Sequence, residues 1–332
     1  MQRRAFVASL GAAVVVYPRV ASATGGHDVG GAVTERPVRV LLASGDATGS
    51  PRQLDAWHFG WNGRTYRGTF TYVTLADGKR GLVNVVPLDA YLYGVLSAEV
   101  SPGWPHASQE AQAIVARTYA LTKLRPSKPY DVVATESDQR YGGIESESVE
   151  GHAAVDATAG QIVSYNGAPA NVAFSACCGG RTADSGDVWG SPRPYLRSVA
   201  DPHCADTPDY RWQTNISYDS VQRALELARA GDLRDVQLKD VDPSGRPRFV
   251  NFVGSAATVQ VASQAFRFGV GAAVVRSTYL RSVGNASGSL AVAGNGRGHG
   301  VGMCQWGARS MGASGATAAQ IVAFYFPSTT VG

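Results

Sequence analysis

Two adjacent helical periodicities constrain the fold of this chain more than any other feature. After Pro87, apolar residues recur at helical spacing, in the order Leu88, Tyr91, Leu92, Val95 and Leu96. Because Pro102 interrupts the pattern, the first helix is predicted to end near Glu99. A second apolar stripe predicts a helix over about 107–124. Weaker patterns predict shorter helices over about 148–158, 219–230 and 316–325.

Strand patterns lie on both sides of these helices. Val38 and Val40 begin an alternation that continues, through turn signals such as Asn62-Gly63, to residue 86. We therefore predict an N-terminal β region over 37–86 and a mostly β sub-region over 205–285. The combination predicts an α+β fold, with antiparallel strands and a few helices. Hydrophobic residues make up 44% of the chain, which supports a packed core and excludes wholesale disorder.

The first 23 residues predict an export signal. Arg3 and Arg4 precede an apolar stretch over 5–17, and the small residues at 21–23 suit cleavage. The paired arginines favour the twin-arginine route, while an ordinary secretory signal or an uncleaved anchor is the alternative. Residues 24–36 are glycine-rich and predict a flexible linker.

The charge distribution argues against nucleic-acid binding. The formal net charge is +4, but three of the 30 basic residues lie in the first 23 residues, which contain no acid. Without them, 27 basic residues face 26 acidic ones, so the remaining chain is nearly neutral. No later apolar run reaches the ~20 residues that a spanning helix needs, so we expect no transmembrane helix in the mature chain.

The four cysteines are an even set in a chain with an export signal, which predicts two disulfides. A bond between the adjacent Cys177 and Cys178 would be strained. We therefore expect Cys204 and Cys304 each to take one of that pair, with Cys178–Cys204 as the first bond. No C-x-x-C pair is present to suggest a zinc ribbon.

Two polar blocks on the predicted helices could carry chemistry. Glu99 ends an otherwise apolar helix beside a loop rich in proline and tryptophan, where desolvation would keep its proton ready to donate. A surface glutamate at a helix end is the simpler alternative. Gln112, Arg117 and Tyr119 could bind carbohydrate hydroxyls and amides from the second helix, or could face solvent.

Two glycine-rich segments complete the candidate residues. Ser175 and Arg181 flank the Gly179-Gly180 turn, where a ligand could approach the backbone closely. His299 lies among alternating glycines, and Gln305 follows it. Neither segment has the spacing of a dinucleotide-binding loop, and the chain has no nucleophile elbow of the G-x-S-x-G type.

Together and in order, these blocks resemble the SpoIID/LytB family of bacterial cell-wall proteins over about residues 85–332. The resemblance is carried by Val-Pro-Leu-Asp-x-Tyr-Leu-x-Gly-Val-Leu-x-x-Glu99, Gln109-x-Ala-Gln112-Ala-x-x-Ala-Arg117-Thr-Tyr-Ala-Leu, Gly179-Gly180-Arg-Thr and Gly298-His-Gly-Val-Gly-Met-x-Gln305.

The resemblance implies an exported peptidoglycan lytic transglycosylase that acts on glycan strands stripped of stem peptides. Its catalytic domain would span 87–332 around a glycan-binding cleft, with Glu99 as the general acid. The implied substrate-binding residues are Gln112, Arg117, Tyr119, Ser175, Arg181, His299 and Gln305. The alternative is a non-catalytic peptidoglycan-binding activator of a cell-wall amidase, because part of the family is named as amidase enhancers.

The resemblance also bears on partners, cofactors and location. Glycan strands of peptidoglycan are the expected partner, joined in the alternative by an amidase, and the expected location is extracellular or in the cell envelope. We expect no cofactor. Some members of the family bind zinc near the double-glycine loop, so zinc near Cys177 and Cys178 is the alternative, but Ser175 stands where the family often has a histidine.

Overall fold

A computed structural model describes residues 33–286 and 288–332 of the chain. The predicted export signal and most of the predicted linker lie outside the described residues. The last four residues of the linker segment, 33–36, are described, and the Val33 side chain packs against the apolar core. No helix in the described ranges is both long and apolar enough to cross a membrane.

Eight α-helices, numbered in chain order, lie within the described residues. They are α1 Leu88–Glu99, α2 His106–Lys123, α3 Val149–Ala157, α4 Ser185–Trp189, α5 Tyr218–Ala224, α6 Ser263–Val270, α7 Gln305–Ala313 and α8 Ala318–Tyr325. The two main predicted helices are confirmed as α1 and α2. The helix predicted over 219–230 breaks into α5 and a 3-10 turn, because Glu226 between them takes a positive φ of 52°.

Over the same described ranges, the strands form six small sheets, and most neighbouring strands are antiparallel. In chain order they are β1 Pro37–Ser44, β2 Arg52–Gln53, β3 His58–Trp61, β4 Arg64–Arg67, β5 Thr69–Thr74, β6 Arg80–Pro87, β7 Val132–Val133, β8 Val163–Tyr165, β9 Ala168–Pro169, β10 Phe174–Ser175, β11 Arg211–Ser217, β12 Leu233–Val241, β13 Pro247–Gly254, β14 Thr258–Ala262, β15 Leu280–Ala286, β16 Ser289–Asn295, β17 Met303–Cys304 and β18 Thr330–Val331. The sheet orders are β5-β6-β1-β7, β2-β3-β4, β18-β8-β9, β10-β17, β11-β16-β15 and β12-β13-β14.

One break within the predicted strands has a clear steric cause. Within the β region predicted over 37–86, Gly68 separates β4 from β5. Gly68 has a φ of 80°, and a Cβ at this position would collide with the Val85 carbonyl oxygen on β6. The close approach of the two backbones therefore requires glycine here.

In the part of the chain that the structure describes, three apolar clusters form the core, and α2 belongs to two of them. Its Ala113, Ala116 and Ala120 pack with α1 and with the sheet of β1 and β6. Its Ile114 and Val115 pack with β8, α7 and α8. The strands of 37–86 thus share a core with the helices that follow them, while the third cluster lies within 212–292. This arrangement is the predicted α+β fold, with α2 at its centre.

Two strand pairs are parallel rather than antiparallel. β7 runs parallel to β1, and β10 runs parallel to β17, which places Phe174 beside Met303 and Ser175 beside Cys304. The second pair joins the double-glycine segment directly to the C-terminal glycine segment. Two of the candidate motifs, about 120 residues apart, therefore lie side by side.

Candidate functional site

The site begins where α1 ends. Glu99 is the last residue of this helix, and one side chain of α2 hydrogen-bonds the loop after it. The Gln109 side-chain amide donates hydrogen bonds to the carbonyl oxygens of Pro102, at 2.7 Å, and Trp104, at 2.9 Å. The sharp turn between α1 and α2 therefore presents Glu99 and Trp104 in a fixed arrangement.

The Glu99 carboxyl is partly buried, and its pKa is raised above the ordinary glutamate value. Desolvation is the main cause. Two hydrogen bonds offset part of the shift, from the Arg140 backbone N–H at 2.7 Å and from the Gln305 side chain. The negative charge of Glu136 adds to the rise. This environment favours a neutral carboxylic acid, which is the form that can donate a proton.

Two glutamine side chains meet beside Glu99 from opposite ends of the chain. The Gln305 Nε2 lies 3.4 Å from the Gln112 Oε1, across 193 residues of sequence. Gln112 is 1% exposed, and its Nε2 has no hydrogen-bond partner among the described residues. Buried amides are normally hydrogen-bonded, so this unpaired donor beside Glu99 is an exception to the usual pattern.

Tyr119 lies two turns beyond Gln112 along α2 and is also near Glu99. Its hydroxyl donates a hydrogen bond of 2.6 Å to Asp138. Burial and this bond raise the pKa of Tyr119, and the charge of Glu99 contributes. Sequence reasoning missed Asp138, because the 125–147 segment has no periodic pattern that would place it against α2.

An aromatic pair borders the site. The rings of Trp104 and Trp306 lie 4.9 Å apart, and the Trp306 indole N–H donates to Asp209 at 3.2 Å. Trp104 follows Glu99 by five residues, and Trp306 follows Gln305 directly. Both rings are half-buried, and the part of an aromatic face that stays accessible suits the apolar face of a sugar ring. Sequence reasoning did not single out Trp306, although its position beside Gln305 was a usable signal.

Ser175 lies on the adjoining strand pair, in β10, and His299 lies in the glycine-rich loop before β17. The Ser175 hydroxyl is buried with no hydrogen-bond partner among the described residues. His299 accepts the Val301 backbone N–H at Nδ1, at 3.0 Å, and hydrogen-bonds the Phe174 backbone. Burial lowers the pKa of His299 to about 4, so the ring is neutral at physiological pH. The Phe174 ring packs edge-on against Tyr119, which connects this strand pair to the site.

Arg181 faces a different opening. It lines a cavity of about 740 Å³ together with Gly179, Gly180, Tyr210 and Trp212. Glu99, Gln112 and Gln305 are not among the residues that line it. The structure therefore separates Arg181 from the group around Glu99.

Arg117 is in the interior rather than on a ligand-binding surface. Its side chain is 0% exposed, and its Nε donates to the Asp89 carboxylate at 2.9 Å. Its other nitrogens donate to the backbone oxygens of Val155 and Gln161 and to the Thr158 hydroxyl. The expectation that Arg117 binds sugar is therefore corrected: it joins α1, α2 and α3.

The four cysteines are buried and unbridged. The Sγ atoms of Cys178 and Cys204 lie 3.6 Å apart, well beyond the ~2.05 Å of a disulfide. Disulfide pairing stays a prediction.

Comparison with known proteins agrees with the motifs. Residues 76–165 match the model of the SpoIID family, described as stage II sporulation protein. This stretch contains α1, α2 and Glu99. Similarity to curated proteins extends further, over 72–81% of the chain. The chain belongs to the SpoIID/LytB family.

Three members of the SpoIID/LytB family illustrate the range of similarity. An uncharacterized protein of Brachyspira hyodysenteriae is 31% identical over 81% of this chain and 72% of its own length. Stage II sporulation protein D of Bacillus amyloliquefaciens is 27% identical over 74% of each chain. The amidase enhancer of Bacillus subtilis is 27% identical over 72% of this chain, but the match spans only 40% of that longer protein.

Proposed function

We propose that this protein is an exported cell-wall enzyme that cleaves peptidoglycan glycan strands, denuded of stem peptides, by lytic transglycosylation. The observation that carries the proposal is the raised pKa of Glu99 in a site bordered by amides and tryptophans. A single carboxyl group suffices for this reaction, because the sugar supplies its own nucleophile and no water must be activated.

In the proposed reaction, Glu99 donates its proton to the glycosidic oxygen as the bond between that oxygen and the muramic acid C1 breaks. The leaving sugar departs with a free hydroxyl group. The 6-hydroxyl oxygen of the same muramic acid then bonds to C1, and its proton returns to the Glu99 carboxylate. The product is a 1,6-anhydro ring, and the enzyme is restored without a cofactor.

The neighbouring side chains would orient the strand. Gln112 and Gln305 offer amide groups to N-acetyl or hydroxyl oxygens, and Trp104 and Trp306 offer ring faces to the sugars. Tyr119 belongs to the same group of side chains, and its hydroxyl donates a hydrogen bond to Asp138. Ser175 and the neutral ring of His299 are proposed as further contacts for the glycan strand, and Arg181 as a contact at the separate cavity beside the double-glycine turn.

A second candidate function is activation of a cell-wall amidase without catalysis by this chain. The relative from Bacillus subtilis that is named amidase enhancer favours it. The same cleft would then bind glycan strands without cleaving them. An exported location is common to both functions.

The proposal is tested by incubating the purified protein with denuded glycan strands and measuring anhydro-muramyl ends by mass spectrometry. Glu99→Gln keeps the shape of the side chain but cannot donate a proton, so we expect loss of cleavage by ~10²-fold or more with glycan binding retained. Glu136→Gln, which removes the exposed carboxylate near Glu99, is the matched control and should cleave.

Near-normal cleavage by Glu99→Gln would overturn the assignment of the acid. If the wild-type protein binds strands, yields no anhydro ends and stimulates a purified amidase, the second function is correct instead.

A further inference from the structure

A cavity beside the double-glycine turn is separate from the group around Glu99. Its volume of about 740 Å³ lies within the range of about 300–1,000 Å³ that is typical of ligand pockets. The turn itself forms part of the wall, and the start of β11, the start of β15 and the end of β16 form the rest. The cavity is therefore assembled from segments that meet only in the folded protein.

Every charged side chain in the wall of this cavity is a cation. Arg181, Arg211 and Arg281 line it, and no aspartate or glutamate is among the described residues that do so. None of the three guanidinium groups forms an ion pair within the part of the chain that the structure describes. Like charges around one cavity raise its positive potential, which attracts an anion.

Aromatic rings contact two of these arginines. The Arg211 guanidinium lies 5.7 Å from the ring centre of Tyr210, and the Arg281 guanidinium lies 5.8 Å from the ring centre of Tyr279. Ring contacts at this distance stabilise an arginine without supplying the counter-charge that a carboxylate would. The wall therefore combines positive charge with ring faces, which suits an anionic group carried on a sugar.

An unpaired donor is a second, independent feature of the wall. Trp212 lines the cavity and is 6% exposed, and its indole N–H has no hydrogen-bond partner among the described residues. Buried polar groups without a partner are uncommon in folded proteins. A ligand that brings an acceptor to this wall would account for the unpaired donor as well as for the arginines.

The wall also adjoins the aromatic border of the proposed active site. Trp306 donates its indole N–H to Asp209 at 3.2 Å, and Tyr210, the next residue, lines the cavity. The charge of Asp209 is already balanced by ion pairs with Arg276, at 3.7 Å, and Arg297, at 3.6 Å. A glycan strand at the Trp306 ring would therefore have a positively charged cavity beside it.

We propose that this cavity binds the free carboxylate of the lactyl group on a muramic acid of the glycan strand. The inference rests on the proposed function for the identity of the strand, and it deepens that function by explaining which strands are bound. While a stem peptide is attached, the lactyl carboxyl group is part of an amide bond and has no charge. Guanidinium groups pair with a free carboxylate through two parallel N–H···O bonds. The cavity would therefore select strands denuded of stem peptides.

The test compares two denuded strands of equal length that differ only in this charge. One is used as prepared, and the other after its carboxyl groups are converted to amides. Binding is measured by isothermal titration calorimetry with the Glu99→Gln protein, which leaves the strands intact. We expect the carboxylate strand to bind about 10-fold or more tightly, because charge-assisted hydrogen bonds are stronger than neutral ones. This preference should shrink as the salt concentration is raised.

Arginine variants then show whether the preference arises in the cavity. Arg211→Gln/Arg281→Gln removes two exposed charges from the wall. It should reduce the preference for the carboxylate strand to about 2-fold or less and leave binding of the amide strand unchanged. Arg223→Gln is the matched control, because Arg223 is an exposed arginine of α5 outside the cavity wall, and this variant should keep the full preference.

Equal binding of the two strands by the protein with its arginines intact would overturn the proposal, as would a preference that survives the double variant. Strands that keep their stem peptides carry carboxylates on the peptides alone. Equally tight, arginine-dependent binding of these strands would assign the cavity to peptide carboxylates and overturn the lactyl assignment. The measurement of anhydro-muramyl ends is a separate readout. Cleavage without a carboxylate preference would overturn this inference alone, and a preference without cleavage would overturn the proposed enzyme alone.

Discussion

Replacing Arg117 by methionine should unfold the protein more readily without weakening its binding of glycan. Methionine retains much of the volume but removes every hydrogen bond of the guanidinium. The change leaves the Asp89 carboxylate, whose side chain is 15% exposed, without its ion-pair partner. It also removes the donors to the Val155 and Gln161 carbonyl oxygens.

The magnitude follows from these losses. An unsatisfied buried carbonyl costs about 1–3 kcal/mol, and removing one partner of a buried ion pair costs about 3–5 kcal/mol in total. Because Asp89 keeps some contact with water, we expect the lower part of this range, about 3 kcal/mol, as the loss in unfolding free energy.

Urea unfolding followed by circular dichroism measures this change. Arg197→Met is the matched control: Arg197 is 60% exposed, and its 3.4 Å ion pair with Asp184 should contribute at most about 1 kcal/mol. If Arg117→Met kept wild-type stability and lost glycan affinity, Arg117 would be a sugar ligand and its structural role here would be wrong.

Two further predictions concern a glycine and the acid. In the same urea assay, Gly302→Ala should lower the free energy of unfolding more than Gly315→Ala does. Both glycines have a positive φ, which costs alanine about 1–2 kcal/mol. Only at Gly302 would the new Cβ also collide with the Ala173 carbonyl oxygen. Equal losses would contradict the packing of β10 against β17. Glu99→Gln should raise the melting temperature relative to wild type at neutral pH but not at acid pH. Because the pKa of Glu99 is higher in the folded protein than in the unfolded chain, its protonated form stabilises the wild-type fold below the unfolded pKa, and this stability is lost as pH rises through the folded pKa. An equal difference in melting temperature at both pH values would refute the raised pKa.

The sequence predicted the parts of the site that local patterns determine. The apolar periodicity of α1 and the proline after it placed Glu99 at a helix end, as the structure has it. The sequence also predicted that Arg117 lies on the second helix with Gln112 and Tyr119, but helical periodicity does not say whether a polar side chain points to a ligand or into the interior. Arg117 is buried because Asp89, 28 residues earlier, provides its charge partner.

Other parts of the fold and of the site could be recognised only in the tertiary structure. Helix α7 was not predicted, because Gly307 and Gly312 weaken its helical pattern. Gly307 is needed because a Cβ there would collide with the Tyr325 hydroxyl and with Asp201. The contact of Trp104 with Trp306 and the cysteine cluster likewise join distant segments, and no local pattern records such contacts.

Gln305→Met provides a direct test of how Glu99 works. The Gln305 amide hydrogen-bonds the Glu99 carboxylate and favours its ionised form, so it partly opposes the effect of burial. Methionine removes this donor at similar volume, and the pKa of Glu99 should rise further. If cleavage requires the protonated acid, the basic limb of its pH profile should then move to higher pH, and the Glu99→Gln/Gln305→Met double variant should be inactive at every pH. If Glu99 instead acts as an ionised base, the same substitution should move the acidic limb upward and reduce cleavage at low pH. The direction of the shift therefore distinguishes the two roles of one carboxyl group.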